Sequence, residues 1–177
     1  MWYPDWDPAP WDLVSLWMHR GLDRRIESWR QNLTDRHGLT LSSEEKVGLD
    51  CLSMVPEGLF CWRLGIPFQG YINTFKAGDI DGWVQVRSTS LNPSHRLIVR
   101  PNDLDEHLFV HVEFEGRKGG PVGWLYGHEA KQEKWLTDRG NGRDPAYFIP
   151  RRHQRLMEEF LELPEVQELI RRLNEEK

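Results

Sequence analysis

Cysteine is scarce in this chain of 177 residues: Cys51 and Cys61 are the only two, and they form no Cys-x-x-Cys pair. That excludes a disulfide framework and a cysteine-built zinc finger, and it suits buried, reduced thiols in a cytosolic protein. Long apolar runs are missing as well, so no segment reaches the roughly 20 residues of a membrane-spanning helix. The opening residues Met1-Trp2-Tyr3-Pro4-Asp5 have neither the basic nor the apolar region of a secretory signal. A cytoplasmic protein with no membrane partner is expected. The Asn32-Leu33-Thr34 sequon then carries no sugar. There is no G-x-x-x-x-G-K-[ST] loop and no G-x-S-x-G elbow, which removes support for P-loop NTPases and α/β-hydrolases. His128-Glu129 lacks the second histidine of a zincin helix. Repeats, low-complexity stretches and long linkers are absent too.

What is present is an ordinary globular composition, 38% hydrophobic and 29% charged, with nine tryptophans. Trp2, Trp6, Trp11 and Trp17 crowd the first tenth of the chain, with Pro4, Pro8 and Pro10 between them. Prolines at that spacing forbid a helix at the very start. An extended aromatic arm follows, either laid on its own domain, the commoner case, or docked on a partner subunit.

Charge is uneven. The net charge of −5 argues against a surface that binds nucleic acid everywhere. From Glu158 to Lys177 seven acidic residues face three basic ones, so this tail holds most of the excess. Between Val86 and Asn102 there is no acid, while Arg87, Arg96 and Arg100 are present. Between Arg139 and Arg155 five arginines face only Asp144. Such local basic patches are compatible with a phosphate-binding face or with solvated surface.

Hydrophobic spacing predicts a first helix over 11–33, bent at Gly21. Ser42 and Glu45 form a capping-box pair that opens a second helix, which Pro56 interrupts or restarts. A short helix from Glu57 to Leu64 then ends at Gly65. Strands are predicted at Tyr71–Phe75, Trp83–Thr89, Leu97–Arg100, Leu108–Phe114 and Val122–Tyr126. Alternation of Leu108, Val110, Val112 and Phe114 with Phe109, His111 and Glu113 predicts a sheet with one face more deeply buried. A helix over 128–136, an extended piece at Tyr147–Ile149, and helices over 151–162 and 165–175 complete an α/β or α+β domain. By function the chain divides into an arm and N-terminal helix (1–41), a core (42–150) and C-terminal helices (151–177), all within one compact domain.

The segment Gly78 to Arg87 carries the most chemistry. If it runs extended, Asp79, Asp81, Gln85 and Arg87 share one face and Val84 and Val86 the other. Carboxylates, an amide oxygen and a cation together suit a hydrated Mg²⁺ beside a scissile phosphate. An Asp81-Gly82 hairpin turn would instead move Asp79 to the face of Val84. On spacing alone, Asp79 and Asp81 also read as turn residues, Glu57 as a helix N-terminal acid, and Gln85 and Arg87 as a solvated strand face. His107 and His111 lie about 13 Å apart on a strand, too far to share an ion, and read as structural.

These residues resemble the PD-(D/E)XK nuclease superfamily, particularly its short phage and mobile-element forms. Glu57 in Pro56-Glu57-Gly58-Leu59-Phe60 matches the helix glutamate of that family, and Asp79 matches its aspartate. Gln85-Val86-Arg87 lies where Glu-x-Lys belongs. Leu97 to Asp103, Val122 to Gly127 and Pro145 to Pro150 look like further segments of the phage-type members, so the likeness runs from about Pro56 to Pro150. It implies a restriction-endonuclease-like core, a central mixed β-sheet flanked by helices. It further implies a Mg²⁺- or Mn²⁺-dependent DNA endonuclease with Asp79, Gln85 and Glu57 on the metal and Arg87 stabilising charge at phosphorus. Arg96, Arg100, Arg143, Arg151 and Arg152 are candidate DNA phosphate contacts. Cutting both strands would favour a homodimer, with the Trp-rich arm as a docking element. Gln85 is a weaker ligand than a carboxylate, and Arg87 cannot act as a base. Both departures leave room for a catalytically inactive nuclease-fold DNA- or protein-binding factor of a phage or mobile element, or for a protein–protein adaptor.

Overall fold

Two long helices lead the chain, α1 at Trp11–Arg30 and α2 at Ser43–Leu64. The computed structural model describes residues 6–32, 41–71, 78–91, 95–138 and 144–176. Helix α1 stops short of the predicted end, where Asn32 takes a positive φ of 50°. It does not bend at Gly21. That glycine lies against α2, where a Cβ would meet the Asp50 carbonyl oxygen at 2.2 Å. The capping box forms as the sequence predicts: Glu45 N–H donates to Ser42 Oγ at 3.2 Å, and Ser42 N–H donates to Glu45 Oε2 at 2.8 Å. Gly65, at φ 67°, closes the helix.

Pro56 does not interrupt α2. A proline removes one helical N–H and crowds the preceding turn, but every residue from Met54 to Cys61 is buried. Packing of that stretch against Val14 and Trp17 of α1 offsets the local cost. Glu57 therefore sits deep inside a continuous helix and not at an N-terminus.

After α2 the chain forms β1 (Val84–Ser90), β2 (Arg96–Val99), β3 (Leu108–Glu115) and β4 (Lys118–Tyr126). The helical turn α3 (Gly127–Ala130), β5 (Leu136–Thr137), β6 (Ala146–Pro150), α4 (Met157–Glu162) and α5 (Pro164–Glu175) complete it. The helix predicted over 128–136 is broken into the turn Gly127–Ala130 and a 3-10 turn at Glu133–Trp135. Lys131 is drawn off to Asp105, at 2.6 Å, and to the Asp103 carbonyl, and Leu136 and Thr137 pair with β6. Similarly, the helix predicted from 151 is split into a 3-10 turn at Arg151–His153 and α4 from Met157, because Arg155 exchanges backbone hydrogen bonds with Trp124 at 3.0 and 3.2 Å. Pro164 opens α5 at a position where its missing N–H costs nothing. Most of the predicted Tyr71–Phe75 strand, Trp2 and Arg143 lie outside the described residues.

The result is a mixed α/β protein with a small mixed sheet flanked by helices. In the order β1-β3-β4, β1 is parallel to β3 and β3 antiparallel to β4. A second, antiparallel sheet has the order β2-β6-β5. Helices α2, α4 and α5 cover one face of the mixed sheet through Phe60, Phe160, Val166 and Leu169, packed on Val84, Val86, Leu108 and Val110. The second sheet approaches the opposite face, where Leu97, Val99 and Ile149 meet Phe109 and Leu125. For this reason β3 is buried from Leu108 to Glu113 on both faces, not more deeply on one.

The described part of the Trp-rich arm lies on its own chain. Arg63 donates to the Asp7 carbonyl at 2.7 Å and lies by the Trp6 ring, and Ala9 N–H donates to the Arg117 carbonyl at 2.9 Å. Trp11 stays largely exposed, whereas Trp17 is core. No helix among the described residues is long and apolar enough to cross a membrane.

Candidate functional site at the open edge of β1

Strand β1 is an edge strand, and the residues that lead into it fold back over that edge. Asp81 and Gly82 take positive φ values of 50° and 81° and form the predicted hairpin turn. The loop has three residues, 81–83, not two: Ile80 and Val84 exchange both backbone hydrogen bonds, at 3.0 and 3.1 Å. One residue of register decides which face a strand residue occupies. With Ile80 opposite Val84, both fully buried, Asp79 falls on the side of Gln85 and Arg87. The turn predicted to pull the site apart keeps it together. The Asp79 Oδ2 atom accepts the Val86 N–H at 2.8 Å, standing in for a neighbouring strand. Asp81 is elsewhere: its carboxylate accepts the Trp83 indole N–H at 3.1 Å and pairs with Arg172 of α5.

Glu57 reaches the same edge from α2 and is almost wholly buried. Arg24 of α1 lies 3.4 Å from Glu57 Oε1 and also donates to Ser53 Oγ and to the Tyr71 carbonyl, each at 3.4 Å. Burial, reinforced by the nearby Asp79 charge, pushes the Glu57 carboxyl up to about 8, even against Arg24 and Arg87. Asp79 is likewise held above the ordinary carboxylate range by burial, against the opposing pull of Arg87 and the Val86 N–H. At neutral pH Glu57 therefore keeps its proton. Two acids that resist ionising together are a common mark of functional sites and also occur in structural networks.

Arg87 and Gln85 are half-buried on β1. Arg87 Nη2 contacts both oxygens of Asp103, at 3.2 and 3.3 Å, and its guanidinium sits 5.5 Å from the centre of the Phe109 ring. Asp103 also accepts the Arg100 N–H at 2.8 Å. On the far side of Arg87 a surface pocket of about 140 Å³ is lined by Arg87, Ser88, Thr89, Arg96, Ile98 and Arg100. Two of the arginines predicted to contact phosphate, Arg96 and Arg100, are thus brought beside Arg87. Arg151 is not with them; it points inward, 3.7 Å from the fully buried Glu113. Arg152 is exposed and donates to His153, and Arg143 lies outside the described residues.

His107 and His111 are buried, as a structural role demands. His111 bonds Thr89 Oγ1 at 2.8 Å and Gln154 Oε1 at 3.2 Å, and burial pushes its pKa down to about 4. Three contributors are not legible from local sequence: Arg24, which joins Glu57 from 33 residues away, and Asp103 and Thr89, which bond Arg87 and His111. The spacing of Arg20 and Arg24, one helical turn apart, is the one local signal. Both reach the segment after α2, at the Gly70 and Tyr71 carbonyls.

The donor set fits a small hard cation. The buried Glu57, the half-buried Asp79 and the Gln85 amide on the side of Asp79 offer oxygen atoms only. No group of three or more His, Cys, Asp or Glu suited to a metal occurs among the described residues, so water would complete the shell. Comparison of the chain with protein-family models, curated proteins and solved structures finds no match.

Proposed function

We propose that the protein is a Mg²⁺- or Mn²⁺-dependent DNA endonuclease-like enzyme with a restriction-endonuclease-like core, of the phage or mobile-element type. The observation that carries this reading is the convergence of Glu57, Asp79 and Arg87 at one strand edge, although Glu57 and Asp79 are 22 residues apart and come from different elements. Asp79, Glu57 and Gln85 would hold the cation. When bound, it would supply Lewis acidity and lower the pKa of a coordinated water. Arg87, held by Asp103 and the Phe109 ring, is fixed where it can neutralise charge building on a phosphate. Arg24 lies against Glu57 and favours its ionised form once the proton leaves. Arg96 and Arg100 would hold the DNA backbone without reading sequence.

A second reading, a catalytically inactive nuclease-fold DNA- or protein-binding factor, rests on a specific observation. Arg24 on Glu57 and Arg87 on Asp103 partly balance the acidic cluster without a metal, and Gln85 brings no charge. Nicking of supercoiled plasmid with Mn²⁺ separates the two. Under the enzyme reading nicking occurs, stops with EDTA, and falls at least a hundredfold in Asp79→Ala, as expected when a charged metal ligand is lost. Intact plasmid throughout, with DNA binding that persists in EDTA, would select the inactive factor.

A further inference from the structure

The pocket beside Arg87 has chemistry of its own. Arg96 and Ile98 project from β2 on the face opposite the buried Leu97 and Val99, and Arg100 follows in the same alternation. Strand β1 supplies Arg87, Ser88 and Thr89 from the other side. The six lining residues include three guanidinium groups and two hydroxyls and no carboxylate. Asp103 is engaged by the Arg87 guanidinium and the Arg100 N–H, and Asp144 acts on Arg100 through its charge. The pocket thus gathers like charges that nothing in its own lining neutralises, and Arg100 shows the effect: desolvation and the charge of Arg87 hold its pKa below the ordinary value.

We propose that this pocket is an oxyanion seat for one phosphate group of a DNA strand, distinct from the phosphate at the Glu57–Asp79 edge. Forked guanidinium donors match phosphate oxygens in pairs, and hydroxyls supply further short hydrogen bonds. A concavity of about 140 Å³ has room for one compact group such as a phosphate. Arg87 borders both places, so a strand seated here is led toward the carboxylates. The inference deepens the endonuclease reading, but the seat needs no metal, and binding measured in EDTA separates its failure from a failure of cleavage.

The test has two arms, both in EDTA with the full chain. In the first, inorganic phosphate is titrated while the arginine Nε–Hε resonances are followed by NMR. Saturable shifts confined to Arg87, Arg96 and Arg100, and lost in Arg96→Gln/Arg100→Gln, are expected; uniform or unsaturable shifts overturn the seat. In the second arm, fluorescent DNA duplexes ending in a 5′-phosphate or a 5′-hydroxyl are bound at several salt concentrations. Removing both arginines should lower the slope of log K against log salt by about one, the value for a single phosphate contact. Preference for the phosphorylated end that disappears in the variant identifies a terminal phosphate as the occupant. Equal weakening of both duplexes identifies an internal one. An unchanged slope and affinity, with the variant shown by circular dichroism to be folded, refutes the proposal. Arg96→Lys, which keeps the charge but loses the fork, should restore the slope and only part of the affinity.

Discussion

Glu57 provides the most exacting check on the site, because its burial makes a signed statement about stability. Its carboxyl ionises near 4.5 when exposed and is pushed up to about 8 in the fold. The folded chain therefore keeps a proton that the unfolded chain gives up. The stabilisation is complete below pH 4.5 and is lost as pH rises through 8. That gap, at about 1.4 kcal/mol per pH unit, sets a ceiling of about 5 kcal/mol. Arg24, 3.4 Å away, stabilises the charged form, and its pull is already contained in that shift, so a loss of several kcal/mol is expected. Glu57→Gln copies the shape of the protonated acid and cannot titrate. Urea unfolding of wild type and variant, followed by tryptophan fluorescence in EDTA from pH 5 to 9, gives the answer. The variant should gain on the wild type steadily across this range and be the more stable protein at pH 9. Parallel curves would refute the reasoning, since they would mean that Glu57 is ionised at pH 5 and solvated. With Mn²⁺ at a hundred times its dissociation constant, wild type at pH 8 should gain about 2.7 kcal/mol and Glu57→Gln far less.

Two further outcomes follow from other parts of the fold. Gly58 lies under Trp17, where a Cβ would fall 2.0 Å from the indole ring. Gly58→Ala should cost about 2–3 kcal/mol in thermal or urea unfolding despite alanine's better helix propensity, by forcing α1 from α2; a neutral or stabilising effect would show that this contact yields. His111, pushed down to about 4 by burial, works opposite to Glu57. The unfolded chain takes up a proton there below pH 6.5 while the fold keeps His111 neutral down to about 4, so stability falls across that range by up to about 3 kcal/mol. His111→Gln should flatten that acid limb while leaving the limb above pH 7 unchanged.

Much of this architecture is written locally. The Ser42–Glu45 box, the Gly65 stop and the strands around Val86, Val110 and Trp124 all depend on neighbours within a few residues, and they form where spacing places them. What spacing could not show is decided by distant surfaces. Pro56 stays inside α2 because its neighbours Met54, Val55 and Leu59 pack against α1, and the α-helix stops at Ala130 because Asp105 captures Lys131 and β6 captures Leu136 and Thr137. At the site, spacing grouped Asp79, Asp81, Gln85 and Arg87, and only the family resemblance added Glu57. The wiring of the site was hidden, because Arg24 and Asp103 arrive from other elements and the length of the loop at 81–83 had to be seen. Arg151 shows the converse: an arginine in a basic run looks like surface until a buried Glu113 turns it inward.

The way Asp79 and Ile80 fold over β1 also bears on how copies of the chain could meet. Sheet edges invite extension, since their free N–H and C=O groups can recruit a strand from another molecule. Here Val84 and Val86 already spend their outward N–H groups on Ile80 and on the Asp79 carboxylate. The first half of this edge is closed from within. A homodimer joined by strand pairing along this half of the edge is thereby blocked, and the acid that would hold a cation also guards this stretch of the sheet. Replacing Asp79 would consequently unmask an adhesive edge as well as remove a ligand, so activity and solubility of such variants have to be read together.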